Sequence, residues 1–355
     1  MDSRLQLLPI SDFLIWITGR IADLQDYERQ VVLKFSVIIA TYNRAEELVK
    51  TLESLKNLES TGPWEVIIVD NNSSDNTRDV VLERVESFPV PLQYIMEKEQ
   101  GRSAALNAGI LAAKGEILAI TDDDVRVEPL WLCNGERALD RLDCDYLGGK
   151  ALPIWSGELP DWLPNRGGKH WGVIALLDYG AEPIEFGEKV PLGVNMVFRR
   201  DCFDRAGLWD NSIGRKAGTL LGQEVREWAQ RARAAGLRGF YSPDLIVHHV
   251  IPQDRLTKKY FRKWFYWHGI SRAILYHNNR LDMESPESTA LDFSKVPHIA
   301  GVPRYLFRTC IKKFFSIWGA TVRRDAIARF EDELWIWFFA GILRQRWKDR
   351  KLNLA

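Results

Sequence analysis

Residues 117–124 read Ile-Leu-Ala-Ile-Thr-Asp-Asp-Asp, an apolar run that ends in three consecutive carboxylates. A short apolar run bounded by polar residues has the pattern of a buried strand, with the acids at its carboxyl end. Adjacent acids repel one another, and a cation relieves that repulsion. Side chains alternate along extended backbone, so Asp122 and Asp124 reach toward the same point while Asp123 turns away. The pattern predicts a divalent-metal site facing a phosphate. Taken alone it also describes a solvated acidic turn, and the flanking chain has to decide between the two.

Working outward, the same strand-then-polar-turn pattern recurs. Phe35 to Ala40 is apolar and runs into Thr41-Tyr42-Asn43-Arg44, after which Leu48, Leu52 and Leu55 recur with helical spacing. Glu65 to Asp70 repeats the strand, followed by the polar turn Asn71-Asn72-Ser73-Ser74-Asp75 and a helix through Val80, Val81 and Val85. Leu92 to Met96 and Ala104 to Ala113 form a third unit ahead of Ile117. Strands alternating with helices indicate an α/β fold with a mostly parallel, Rossmann-like sheet covered on both faces. Ligands of such sheets lie beyond the strands' carboxyl ends, where Thr41, Asp70 and Asp122 fall. Pro153 to Trp171 is rich in Trp, Pro and Gly and reads as a long loop able to fold over a ligand; a helix is expected from Glu224 to Ala235 and a strand from Leu245 to His248.

The composition narrows the class. The 355 residues are 46% hydrophobic and 27% charged with net charge zero, so no global charge favours nucleic acid. Cys133, Cys144, Cys202 and Cys310 are widely spaced, which argues against a disulfide framework or zinc cluster and for a reducing, cytoplasmic setting. No stretch approaches the roughly 18 apolar residues of a membrane span, and the N-terminus lacks a signal-peptide pattern.

Neither GxGxxG nor GxxxxGKS occurs, so a nucleotide diphosphate bound here would need a metal to neutralise it. Asp70 can accept hydrogen bonds from a base or ribose, Thr41 and Asn43 offer short polar contacts, and Asp122 with Asp124 hold the cation.

With these residues in place, the chain resembles the inverting family 2 glycosyltransferases, which have the nucleotide-diphospho-sugar transferase (GT-A) fold. The matching pieces, in order, are Ser36-Val-Ile-Ile-Ala-Thr-Tyr-Asn-Arg44, Val69-Asp-Asn-Asn-Ser-Ser-Asp-Asn-Thr77, Gly101-Arg-Ser-Ala-Ala-Leu-Asn-Ala-Gly109 and Thr121-Asp-Asp-Asp124. They continue through Gly193-Val-Asn-Met196 with Arg199-Arg200, Gly222-Gln-Glu224, and Pro243-Asp244 with His249, covering about residues 35 to 260. The resemblance implies that Thr41, Asn43, Asp70, Arg102, Asn107 and Asp122 serve the nucleotide. It implies further that Gly193 and Asn195 border the sugar, and that Asp122, Asp124 and His249 hold Mg²⁺ or Mn²⁺. Transfer with inversion requires a carboxylate to deprotonate the acceptor hydroxyl, and Glu224 at a helix start is the expected base, with Glu227 as substitute. The family usually carries a Glu-Asp pair where this chain has Gln223-Glu224.

Residues 255–280 combine Arg255, Lys258, Lys259, Arg262, Lys263, Arg272 and Arg280 with the interleaved aromatics Tyr260, Phe261, Trp264, Phe265, Tyr266 and Trp267 and no acid. Residues 304–318 set Phe307, Ile311, Phe314, Phe315 and Trp318 on one stripe beside Arg304, Arg308, Lys312 and Lys313. Such faces suit an anionic membrane surface, or packing on protein. The expected organisation is an N-terminal extension (1–33), a GT-A catalytic domain (34–250) and a helical, basic C-terminal region (251–355). The expected activity is transfer of a sugar from a nucleotide diphosphate, UDP being favoured, to a hydroxyl of a saccharide or lipid-linked oligosaccharide, with no nucleic-acid partner, in the cytoplasm or at the membrane's cytoplasmic face. A polyprenyl-phosphate sugar synthase of the same fold and a catalytically silent scaffold are the alternatives.

Overall fold

The computed structural model describes residues 32–163, 170–187, 189–277 and 296–352. The N-terminal run Phe13 to Ile17, residues 164–169 of the Trp-rich stretch, and Arg280 lie outside the described residues.

Strand β1 (Phe35–Thr41) leads to helix α1 (Ala45–Leu55), β2 (Trp64–Asp70) to α2 (Thr77–Leu82), and β3 (Leu92–Met96) to α3 (Arg102–Ala112). Then come β4 (Ile117–Asp122), β5 (Val125–Val127), α4 (Trp131–Arg141), β6 (Tyr146–Trp155), β7 (Ile184–Glu185) and β8 (Asn195–Arg199). Helices α5 (Cys202–Ala206) and α6 (Glu224–Ala234) precede β9 (Gly239–Ile251). The spatial order is β3-β2-β1-β4-β8-β6-β9-β5, with β7 paired to β9. β1 to β4 run parallel, and the apolar residues of β2 and β4, and of β1 apart from Ala40, are buried on both faces, which is why these three read as continuous hydrophobic runs. The order reverses beside β1, whose other neighbour is β4, so the carboxyl ends of these two strands open the crevice and Ala40 stands opposite Asp122.

The remaining strands make the sheet mixed. β8 runs antiparallel between β4 and β6, and β5 runs antiparallel to β9. β9 is longer than the expected Leu245 to His248: it starts at Gly239, and its register against β6 shifts between Ser242 and Ile246. Pro243 sits in that shift, where its missing N–H costs no ladder bond. Helix α2 ends at Leu82, before the expected Val85, which is exposed.

An aromatic group joins sheet to helices: the Trp228 ring lies 5.2 Å from Tyr146 and Phe198 and 5.5 Å from Phe203, which anchors α6 and the position of Glu224 at its start. The Trp-rich stretch is more firmly held than a free loop. Leu163, Trp171 and Ile174 are buried in one cluster with Ile251, Leu256, Phe261 and Phe330.

Beyond β9 the chain is helical, as α7 (Lys258–His277), a two-stranded turn of β10 (His298–Ile299) and β11 (Val302–Pro303), α8 (Arg304–Val322) and α9 (Ala326–Leu352). Helices α7 and α9 cross through glycines. A Cβ on Gly269 would stand 1.9 Å from the Phe338 carbonyl oxygen, and one on Gly341 2.0 Å from that of Tyr266.

Candidate active site

The crevice at the ends of β1 and β4 widens into a cavity of about 790 Å³. Thr41, Arg44, Asn71, Arg102 and Asp122 to Asp124 line the strand-end part, while Gly193, Glu224, Arg226, His249, Arg255, Trp264, His268 and Arg272 also face it. Three separate segments thus meet: the β4 turn, the start of α6, and the C-terminal helix α7.

The three aspartates diverge. The chain turns after Asp122, so their side chains leave in different directions. Asp122 accepts 2.7 Å and 3.2 Å hydrogen bonds from Arg102. Asp123, buried, accepts from the Thr41 hydroxyl at 2.7 Å and from Arg44 at 2.9 Å. Asp124, also buried, takes Arg44 at 2.6 Å, and its other oxygen lies 3.2 Å from His249 Nε2. Burial pushes the Asp123 carboxyl up to about 6, against the pull of Arg44. Burial acts on Asp124 in the same sense, yet His249, Arg44 and Arg255 together hold it well below the usual carboxylate range. Arg44, sandwiched between the two, is itself raised: burial opposes its charge, and Asp123 and Asp124 overcome that.

A metal here has both support and competition. His249 Nδ1 is buried with no hydrogen-bond partner, Asp124 Oδ1 is buried with only the 3.2 Å contact to His249 Nε2, and two carboxylates with one imidazole form a donor set suited to Mg²⁺ or Mn²⁺. Among the described residues no group of three or more His, Cys, Asp or Glu stands in a metal-holding arrangement, and Arg102 and Arg44 pair with Asp122 and Asp124. The residues fit the ion in chemistry, with the arginines supplying the compensating charge.

Glu224 opens α6 and is 9% exposed. Oε1 lies 3.5 Å from Arg102 Nη1, and Arg102 reaches Asp122 as well, so one guanidinium links the base candidate to the acidic turn. Glu227 is elsewhere: it is 2% exposed and held by both arms of Arg231 at 2.8 and 2.9 Å.

Other residues named from the sequence stand behind the cavity. Asn43 is held at φ 50°, and its side-chain oxygen accepts from the Ser74 backbone at 2.7 Å, tying the β1 and β2 loops together. Asp70 accepts from Ser73 N at 2.9 Å and the Tyr94 hydroxyl at 2.8 Å. Asn107 bonds Trp209 in both directions, and Asn195 bridges Lys150 and Leu245 carbonyls while accepting from Trp131. All four brace the walls rather than line them. Gly193 does face the cavity, and a Cβ there would come within 2.8 Å of Arg102. Residues that reading by motif did not single out are Arg44, Arg226, Trp264 and His268; only the unbroken basic and aromatic run after Arg255 hinted at the last two.

The chain matches known proteins at this point of the fold. Residues 36–206 match the model of Glycosyl transferase family 2, a span that holds the acidic turn and stops short of Glu224. Glycosyltransferase AglE of Haloferax volcanii is 29% identical over 231 residues, 64% of this chain and 70% of that protein. The same organism's glucosyl-dolichyl phosphate glucuronosyltransferase is 26% identical over 256 residues, 68% of this chain and 77% of the other. Among solved structures, the mannosyltransferase PcManGT from Pyrobaculum calidifontis, in complex with GDP-Man and Mn²⁺, superposes with a TM-score of 0.59 at 17% identity over 90% of this chain and 88% of that one. With the mixed sheet, the acidic turn at its carboxyl edge and these relatives together, the chain is a glycosyltransferase of family 2 with the GT-A fold.

Proposed function

We propose that the enzyme moves a sugar from a nucleotide diphosphate to an acceptor hydroxyl by a single in-line displacement with inversion at the anomeric carbon. The observation that carries this reading is Arg102, which binds Asp122 and approaches Glu224 within one cavity. Asp122, Asp124 and His249 would hold a divalent cation, which when bound stabilises the charge of the departing diphosphate. Support for the cation comes from the donor set and from the Mn²⁺ bound in the mannosyltransferase. Glu224 accepts the acceptor's proton as its oxygen attacks the anomeric carbon; the bond from that carbon to the phosphate oxygen breaks, and its electron pair leaves with the diphosphate. Arg102 holds the two carboxylates apart and oriented, and the Asn43–Ser74 and Asp70–Tyr94 bonds keep the nucleotide-side loops in place. UDP is the nucleotide we favour.

The acceptor we propose is a saccharide or lipid-linked oligosaccharide in the synthesis of a surface polysaccharide or glycoconjugate. It would be met at the cytoplasmic face of a membrane. Support comes from the exposed apolar side of α8 and its neighbouring cations. The glucuronosyltransferase, named for a dolichyl phosphate-linked acceptor, points the same way.

The test is release of nucleoside diphosphate from a panel of nucleotide sugars with Mg²⁺ or Mn²⁺, followed by assignment of the product anomer. One donor should turn over, and chelator or Asp124→Asn should abolish turnover. Retention of the anomeric configuration would sink the mechanism.

A further inference from the structure

Arg44 stands where local chemistry opposes it. It is the N-cap of α1, a position that favours small oxygen-bearing side chains, and the positive end of a helix dipole repels a guanidinium. Asp75 does the capping instead, accepting from Ala45 N at 3.1 Å. The Arg44 side chain serves the acidic turn, where Nη1 donates to Asp123 at 2.9 Å and to Asp124 at 2.6 Å.

Asp124 is the carboxylate for which this contact matters, since a buried carboxylate without a compensating cation is strongly unfavourable. Its Oδ1 lies 3.2 Å from His249 Nε2. Arg255 stands 3.6 Å from Oδ2, so among the described residues Arg44 carries the one guanidinium within hydrogen-bond distance of Asp124. The three neighbours differ in freedom: the side chains of His249 and Arg255 are 1% and 14% exposed, that of Arg44 38%. Arg44 is therefore the partner that can leave. Its loop stays in place when the side chain moves, because Asn43 donates from its backbone to the Ser73 hydroxyl at 2.9 Å and accepts from Ser74 N at 2.7 Å.

We propose that Arg44 is a resident counter-ion: it yields Asp124 to the divalent cation and then pairs with the nucleotide's diphosphate, so that metal and nucleotide bind as a coupled pair. This rests on the metal reading of Asp122, Asp124 and His249 above. An ion arriving alone has to break the Arg44 hydrogen bond, and it leaves the guanidinium beside a second positive charge. A diphosphate arriving with the ion gives that guanidinium a new charge-assisted partner, and phosphate oxygens suit its paired N–H donors. The metal thus gains affinity from the nucleotide, and linkage requires that the nucleotide gain the same factor from the metal.

Calorimetry on the full chain tests this, with MnCl₂ titrated in buffer alone and in the presence of the nucleoside diphosphate of the hydrolysed donor. In the wild type the nucleotide should tighten Mn²⁺ binding about tenfold or more. Arg44→Gln should bind Mn²⁺ alone at least threefold more tightly than the wild type, and its gain from the nucleotide should fall below threefold. Lys50→Gln, which removes an exposed charge from the same helix, should match the wild type in both titrations. The proposal is overturned if Arg44→Gln binds Mn²⁺ alone no more tightly than the wild type, or keeps the full gain from the nucleotide. It is overturned too if Lys50→Gln tightens Mn²⁺ binding as much, since loss of any nearby charge would then suffice. Should Arg44→Gln fail to fold, a wild-type crystal grown with Mn²⁺ and the nucleoside diphosphate decides: Arg44 should lie against the diphosphate, and an Arg44 still hydrogen-bonded to an Asp124 that carries the ion overturns the proposal. Asp124→Asn binding Mn²⁺ as well as the wild type is a different result, which defeats the metal reading and leaves Arg44 no ion to yield to. If no nucleotide sugar is hydrolysed, the transferase mechanism fails, and pyrophosphate replaces the nucleotide in the same titrations with the same expected outcomes for Arg44.

Discussion

Glu224, the base we propose, opens α6, lies 3.5 Å from Arg102 and is 9% exposed. Replacing it by Gln keeps the size and removes the base. We expect Glu224→Gln to lower the transfer rate by about 10²- to 10⁴-fold while nucleotide affinity stays within a few fold. Single-turnover transfer and nucleotide binding check this, and an unaffected rate would mean that the nucleophile needs no base, as with a phosphate acceptor. His268 makes a second prediction. Burial first, then Arg272 and Arg226, hold its pKa well below 6.5. Below about pH 6.5 the unfolded chain therefore takes up a proton that the folded chain refuses. Stability should fall as pH drops through that window, approaching about 1.4 kcal/mol per pH unit, until the folded ring is itself protonated. Melting curves from pH 7.5 to 5.5 should slope more steeply for wild type than for His268→Gln, and equal slopes would remove His268 as the cause. Polar residues at strand ends were easy to find in the sequence, but their partners were not. Asn107 and Asn195 spend their amides on carbonyls tens of residues away, a use that only the folded chain reveals.

At the scale of elements, the parallel half of the sheet was legible because each strand, turn and helix is a local unit with its own periodicity. The antiparallel insertion of β8 between β4 and β6 was not, since that pairing joins segments far apart in sequence. The expected strand at Leu245 fell short for a related reason: Pro243 reads as a break, whereas its bulge lets β9 continue on both sides. The α7–α9 crossing escaped notice because Gly269 and Gly341 look like weak helix residues until a second helix lies on them. Gly269→Ala should force the two backbones apart and cost about 1 to 3 kcal/mol or more, as overpacking does. Gly187, whose added Cβ would meet nothing within 4 Å, supplies the control. Denaturant midpoints for Gly269→Ala and Gly187→Ala should separate clearly; coincident midpoints would mean that the crossing opens freely. Because α7 carries Trp264, His268 and Arg272, the same substitution should also disturb the cavity wall.

For the whole molecule, the outstanding question is what covers α8. Ile311, Phe314, Phe315, Trp318 and Val322 are 58% to 68% exposed and lie along one side of that helix. A water-facing surface seldom leaves five large apolar side chains together, since fully burying such a side chain is worth roughly 1.5 to 3 kcal/mol. The helix contains no acid, and Arg304, Arg308, Lys312 and Lys313 flank the stripe, with Lys313 also bonded to Asp332 at 2.6 Å. No helix among the described residues is long and apolar enough to cross a bilayer; we propose that α8 instead lies in the plane of an anionic lipid surface. Each cation near such a surface contributes about 1 kcal/mol, which makes binding dependent on lipid charge and on salt. The enzyme should sediment with phosphatidylcholine–phosphatidylglycerol vesicles far better than with phosphatidylcholine alone, and less well as salt rises. Substituting Phe314, Phe315 and Trp318 together by Ser should reduce vesicle binding at least tenfold with the melting temperature nearly unchanged, because these side chains touch little of the folded core. If the triple variant bound vesicles as well as wild type, the stripe would have no part in membrane contact. If the variant instead lost a larger, faster-sedimenting assembly without changing its lipid binding, a protein would be the occupant of that face.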